Sequence, residues 1–168
     1  MAADSAFAVP DGLTDAEAAG FWIPHLTGWI GLVERGGLAG GEWLAVLGAA
    51  GGSGIAAVQL GHAIGARVIA VVSDEERAAF CRGLGADATL NHRDGSLEPA
   101  LRDATGGHGV DLVYDPVGGS LAEEAACALA RGGRLRNAVS EEVPFEALPA
   151  TLQRMADRAV VGKLVLVP

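Results

Sequence analysis

Cysteine is scarce in this chain, with only Cys81 and Cys127 among 168 residues. Two cysteines do not make a disulfide framework. The four histidines, His25, His62, His92 and His108, show no metal-ligand spacing, and a structural zinc lobe would need a cysteine cluster, so no metal site is expected. Basic residues are also few. Twelve Lys and Arg stand against 21 Asp and Glu, a formal net charge of −9, which argues against a nucleic-acid partner because such recognition needs a basic face. The same charge argues against an anionic membrane surface. Long apolar runs are missing too, since Gly, Glu42, Gln59, His62 and Arg67 interrupt each one. Neither a spanning segment nor a signal peptide is expected, which points to a cytoplasmic protein.

Apolar residues and glycine are what the chain has in quantity: half of it is apolar and 25 residues are Gly. That composition suits a doubly wound α/β domain with many tight turns, and the length predicts one domain over 1–168. Residues 1–40 read as a helical lead-in. Pro10-Asp11-Gly12 is a turn, Thr14 and Glu17 form a capping box, Pro24 breaks the helical pattern, and Thr27 to Arg35 resume it. Strands are expected at Trp43–Leu47, Val68–Val72, Ala88–Leu90, Val110–Tyr114, Leu135–Val139 and Val160–Val167, the last within a C-terminal strand segment 159–168. Helices fall between them, two opened by capping boxes at Ser73/Glu76 and Ser120/Glu123, with a last helix over Phe145–Arg158. Strands alternating with helices imply a parallel sheet covered on both faces.

The segment from Glu42 to Ile64 is the most informative. A buried apolar run, Leu44–Leu47, breaks into Gly48-Ala-Ala-Gly51-Gly-Ser-Gly54, and a helical pattern follows. Strand, glycine-rich turn and helix together aim the free amides of a helix N-terminus at a phosphate, and glycine lets the backbone approach a pyrophosphate closely. The same turn would serve tight helix–strand packing with no ligand. Ser53 fits a hydrogen bond to phosphate or a helix cap. Gly51-Gly-Ser53-Gly-Ile55 also approaches a serine-hydrolase nucleophile elbow, but Ile55 stands where that motif requires its second glycine.

Gly48–Leu60, Gly65-Ala-Arg-Val-Ile69, Leu84-Gly-Ala-Asp87, Asp111-Leu-Val-Tyr-Asp-Pro-Val-Gly-Gly119 and Val161-Gly-Lys-Leu-Val165 occur in that order along the chain. In them the sequence resembles the medium-chain dehydrogenase/reductase superfamily, specifically its zinc-free quinone oxidoreductase and enoyl reductase branch. The resemblance implies a truncated Rossmann-type parallel sheet of about five to six strands. It also implies that the GroES-like catalytic domain of such enzymes is absent from this sequence. One strand–helix unit looks lost between Leu129-Ala-Arg-Gly-Gly-Arg-Leu-Arg136 and Val139–Phe145. Arg136 and Asn137 suit an exposed edge strand there.

The resemblance further implies a cofactor site made by Thr27, Ala50, Gly51, Gly52, Ser53, Gly54, Ser73, Arg77, His92 and Asp115. No acidic residue ends the second strand at Val72-Ser73, Arg77 matches the family's phosphate-binding Lys, and His92 stands where the family has a Tyr. These favour NADPH over NADH, with Arg93 a further nearby cation. Asp74 lies slightly further on, and Ser73, Asp74 and Glu76 equally suit helix capping. Thr27 equally suits a bond to its own helix backbone, Asp115 and Gly118-Gly119 equally suit a turn, and His25 lies near the implied substrate cleft. The implied activity is hydride transfer to a quinone or an activated C=C bond, with a non-catalytic dinucleotide-binding module or fragment as the alternative. A terminal strand without its family neighbour is expected to fold back onto the sheet or to pair with another chain, which suggests a homodimer.

Overall fold

A computed structural model describes residues 8–9, 11–131, 139–156 and 163–167. They fall into two compact units, Met1–Arg134 and Leu135–Pro168.

The first unit is built around β1 (Trp43–Leu47), whose last four residues are fully buried. It pairs in parallel with β2 (Arg67–Val72) on one side, Leu44 opposite Val68, and with β4 (Leu112–Tyr114) on the other, Val46 opposite Tyr114. β3 (Ala88–Asn91) adds to the far side of β2, giving the order β3-β2-β1-β4. Side chains alternate across this sheet, as the pleat requires. Leu44, Val46, Val68, Ala70 and Val72 pack with Leu32, Val58 and Cys81 on one face. Ala45, Leu47, Ile69 and Val71 pack with Leu97, Leu101, Ala125 and Ala128 on the other. The near-continuous apolar strands of the sequence are therefore what a sheet buried on both faces needs. α1 (Asp15–Trp29), α2 (Gly52–Ile64) and α3 (Glu75–Gly83) precede α4 (Leu97–Ala104) and α5 (Ser120–Arg131) in the chain. This is the α/β, Rossmann-type parallel architecture expected from the sequence. No helix of the described residues is long and apolar enough to cross a membrane.

Two local expectations are corrected. Pro24 does not interrupt the first helix, which runs from its Thr14 capping box through Trp29 and continues as a π-helical turn, Ile30–Arg35. The carbonyl left without its proline donor belongs to Gly20, an exposed residue, so water can satisfy it. The second expected capping box also shifts by one residue: Asp74, not Ser73, caps α3, its carboxylate accepting the Arg77 amide. Ser120 likewise lies inside α5 as its first residue. The acid that matters in α5 is Glu124, which accepts the Ser96 hydroxyl at 2.9 Å and the Leu97 amide at 2.6 Å and so caps α4 from a neighbouring helix.

The second unit holds β5 (Val139–Pro144), a short 3₁₀ turn (Phe145–Ala147), α6 (Leu148–Ala156) and β6 (Lys163–Val167). β6 pairs in parallel with β5, Val143 opposite Leu166. Most of the expected strand Leu135–Val139, with Arg136 and Asn137, lies outside the described residues. So do Pro10 and the end of the expected last helix, Asp157 and Arg158.

The bonds from Ser96 and Leu97 hold the Glu124 carboxyl below the usual glutamate range. A folded-state pKa below the unfolded one adds stability above the unfolded value, and that stability is lost as pH falls through the folded value. Glu124→Gln should cost about 1 kcal/mol, the scale of a helix cap, or about 2–4 °C in melting temperature at neutral pH. The acid side of a pH series of thermal melts should also flatten; an unchanged profile would count against this capping role.

Candidate dinucleotide-binding cleft

β1 ends at Leu47, and the chain turns at Gly48, whose φ is +59°, a conformation that favours glycine. A Cβ on Gly48 would also lie 2.7 Å from Val117 Cγ2. Gly51 stands at the N-cap position of α2 in extended conformation, and no side chain caps that helix. The first helical bond runs from the Ile55 amide to the Gly51 carbonyl, 2.8 Å. The amides of Gly52, Ser53 and Gly54 precede it and are the groups a helix start presents to an anion.

These amides open on a cleft of about 620 Å³ lined by the 48–54 turn, the end of β2 and the turn after β4. It lies at the carboxyl edge of the sheet. There β1 sends one connection to β2 and receives β4 on its other side, the switch point where open α/β sheets bind ligands.

Of the ten residues expected at the site, eight line this cleft: Ala50, Gly51, Gly52, Ser53, Gly54, Ser73, Arg77 and His92. Thr27 and Asp115 do not. The Thr27 hydroxyl donates to the Ile23 carbonyl at 2.8 Å. Asp115 Oδ1 accepts the amides of Val117 and Gly118, at 2.9 and 2.8 Å, and so shapes the turn after β4. His25 also stands apart from the cleft, with Nδ1 2.8 Å from the Phe21 carbonyl and Nε2 3.2 Å from Gln59 Oε1.

Ser53 is bonded to the Tyr114 hydroxyl rather than to a helix amide. Tyr114 also packs its ring against Gly31 of the π turn, where a Cβ would approach to 3.1 Å. The sequence reading placed Gly48 in the phosphate turn but did not assign Tyr114 to the site, nor Val71, Val72, Pro116, Val117 and Leu121 of the lining. A signal was present for some of them, because Tyr114, Pro116 and Val117 lie in the Asp111–Gly119 stretch. Among the described residues, no three His, Cys, Asp or Glu side chains converge as a metal site would require.

A family model described as zinc-binding dehydrogenase matches residues 52–158. The chain belongs to this family, and so to the medium-chain dehydrogenase/reductase superfamily, with the fold of that superfamily's NAD(P)-binding domain. Prostaglandin reductase-3 of Mus musculus is 36% identical over 131 residues, covering 78% of this chain and 34% of that protein. A mycocerosic acid synthase-like polyketide synthase of Mycobacterium tuberculosis is 33% identical over 126 residues, covering 75% of this chain and 6% of that protein. The chain thus spans about a third or less of these curated relatives. Among solved structures, a probable oxidoreductase from Mycobacterium abscessus superposes with a TM-score of 0.62 at 32% identity, covering 95% of this chain and 65% of that one. The CurK enoyl reductase shares the fold, with a TM-score of 0.67 at 21% identity over 95% of this chain and 64% of that one.

The turn's two kinds of glycine separate experimentally. A Cβ on Gly54 would stand 2.4 Å from the Gly48 carbonyl oxygen and 2.7 Å from Ala49 Cα, backbone that cannot yield. A Cβ on Gly52 would meet nothing within 4 Å. Gly54→Ala should therefore cost about 1–3 kcal/mol, as overpacking does, or prevent folding. Gly52→Ala should melt within about 0.5 kcal/mol of the parent. Thermal or urea denaturation of the pair checks this; equal losses would contradict the geometry.

Proposed function

We propose that this chain is the cofactor-binding domain of an NADPH-dependent oxidoreductase of the quinone oxidoreductase or enoyl reductase kind, acting on a quinone or an activated C=C bond. The observation that carries the reading is the uncapped N-terminus of α2, opening on a cleft at the switch point of a sheet of this family. Its chemistry fits a dinucleotide. The amides of Gly52, Ser53 and Gly54 would hold the pyrophosphate, and Gly52 leaves the space that a phosphate oxygen needs. Ser73, Arg77 and His92, beyond the ends of β2 and β3, would hold the adenosine ribose, with Arg77 supplying the cation for a 2′-phosphate. When bound, the nicotinamide supplies the hydride; the protein's part is to orient it and exclude water.

One observation supports a second reading, a dinucleotide-binding module without turnover of its own. Among the described residues of the cleft lining, Arg77 and His92 are the ionisable side chains, and both lie past the ends of β2 and β3, where this reading would put the ribose. That lining offers no acid at its other end to protonate a reduced substrate. A homodimer is part of the proposal, drawn from the sequence; a sharply monomeric mass in light scattering would overturn that part.

Calorimetry with NADPH and NADH, followed by NADPH oxidation with a panel of small quinones and enones, tests the reading. Turnover supports the oxidoreductase, and tight binding without turnover supports the module. No binding overturns both. Gly52→Ala should weaken dinucleotide binding by about tenfold or more while the fold persists, because its new methyl occupies the space beside the helix amides.

A further inference from the structure

The hydroxyls of Ser53, in the first turn of α2, and Tyr114, at the end of β4, meet 2.5 Å apart. Three contacts fix where the phenol lies. β4 pairs Tyr114 with Val46 of β1, its ring packs on the cluster that holds Leu32 and Val58, and Gly31 of the π turn leaves it room. Each hydroxyl has one proton, and only one of the two protons can lie in the bond between them. A phenol is the stronger donor, so Tyr114 donates and Ser53 keeps the free proton. Ser53 lines the cleft, whereas Tyr114 stands behind the lining.

We propose that Tyr114 is a positioning residue for the dinucleotide: by donating to Ser53 Oγ it leaves the serine proton for the cleft, where the Ser53 hydroxyl donates to a pyrophosphate oxygen. This rests on the dinucleotide reading above and adds a side-chain donor to the helix amides. A serine in the first turn of a helix ordinarily bonds to nearby backbone of its own helix. Here the Tyr114 phenol engages the Ser53 oxygen instead. A hydroxyl that accepts one hydrogen bond is a better donor in the next, because the two bonds polarise each other, and partial burial of this pair strengthens both. The acceptor best suited to such a donor is an anion, and a phosphate oxygen takes the bond more strongly than a neutral oxygen does. The lining favours an anion as well. Its described residues include no Asp or Glu to compete for the proton, and their ionisable side chains are Arg77 and His92.

Ser53→Ala and Tyr114→Phe each delete one hydroxyl and keep the rest of the side chain, so both variants should hold the parent's fold in thermal melts. Calorimetry measures their affinity, with NADPH or NADH as the probe because the two share the pyrophosphate. Ser53→Ala should bind about tenfold more weakly, the scale of one hydrogen bond to a charged group, and Tyr114→Phe about fivefold more weakly. The double variant should bind no more weakly than Ser53→Ala, since Tyr114 acts only through the serine. In phosphorus NMR the pyrophosphate resonances of the bound dinucleotide should move in both single variants, a change that a packing role for Tyr114 would not produce. Unchanged affinity in either single variant, unmoved resonances, or losses that add in the double variant overturn the role of Tyr114. Binding to the parent chain reports on the dinucleotide reading by itself. A parent that binds neither dinucleotide overturns both, and one that binds while the variants match it overturns the Ser53–Tyr114 role alone.

Discussion

Everything at the cleft depends on how closely α2 seats on β1. Gly54 lies against the backbone of Gly48 and Ala49, and Gly61 lies against Leu44 and Val68, where a Cβ would come within 2.8 Å of both side chains. A helix held that near the sheet leaves its first turn directly over the strand's end. Its first residues, Gly52, Ser53 and Gly54, then line the cleft together with the end of β2 and the turn after β4. α1 follows the same logic one layer out: a Cβ on Gly28 would lie 2.8 Å from Leu60 Cδ1. The small residues in these helices are therefore contact surfaces, and their low helix propensity is offset by packing.

The acidic side chains divide into a similar plan. Glu17, Asp74 and Glu124 each satisfy backbone amides at a helix start, and each is held more acidic than usual, Glu17 and Asp74 chiefly by those amides and Glu124 chiefly by the Ser96 hydroxyl and then the Leu97 amide. Asp87 and Asp111 do the equivalent for strands: they accept the amides of Val68 and Trp43, at 2.7 and 2.8 Å, where β2 and β1 begin. In these five carboxylates the negative charge serves local backbone chemistry. The N-terminus of α2 is different, because no carboxylate caps it.

How much of this was legible in the sequence follows from what each feature rests on. The β1–turn–α2 unit rests on contiguous residues, and the run of apolar residues and glycines revealed it nearly to its boundaries. Eight of the ten expected site residues line one cleft because the turns after β1 and β2, the first turns of α2 and α3, and the residue after β3 hold them all. The misreadings involve tertiary context. Pro24 looks like a helix breaker until the exposed Gly20 carbonyl is seen. Asp74 displaces Ser73 as the cap because the extended backbone at Asp74 carries the turn. For Thr27 and Asp115 the sequence left two roles open, and their oxygens bond their own backbones. Glu124 and Tyr114 act across 27 and 61 residues, and no local pattern encodes such partners.

The strand order has a consequence for how the molecule assembles. β1, α2 and β2 are consecutive, so their pairing closes only a short crossover. β4 must reach β1 from much further along the chain, as the bond between Trp43 and Asp111, 68 residues apart, records. Closing that loop costs chain entropy before any contact repays it. The switch-point wall of the cleft is thereby the wall with the longer loop to close: β1–α2–β2 carries the helix amides, and β4 supplies the second side of the space they open on. The bond between Ser53 and Tyr114 needs β4 in place, so it ties the two sides of the cleft together across 61 residues of chain.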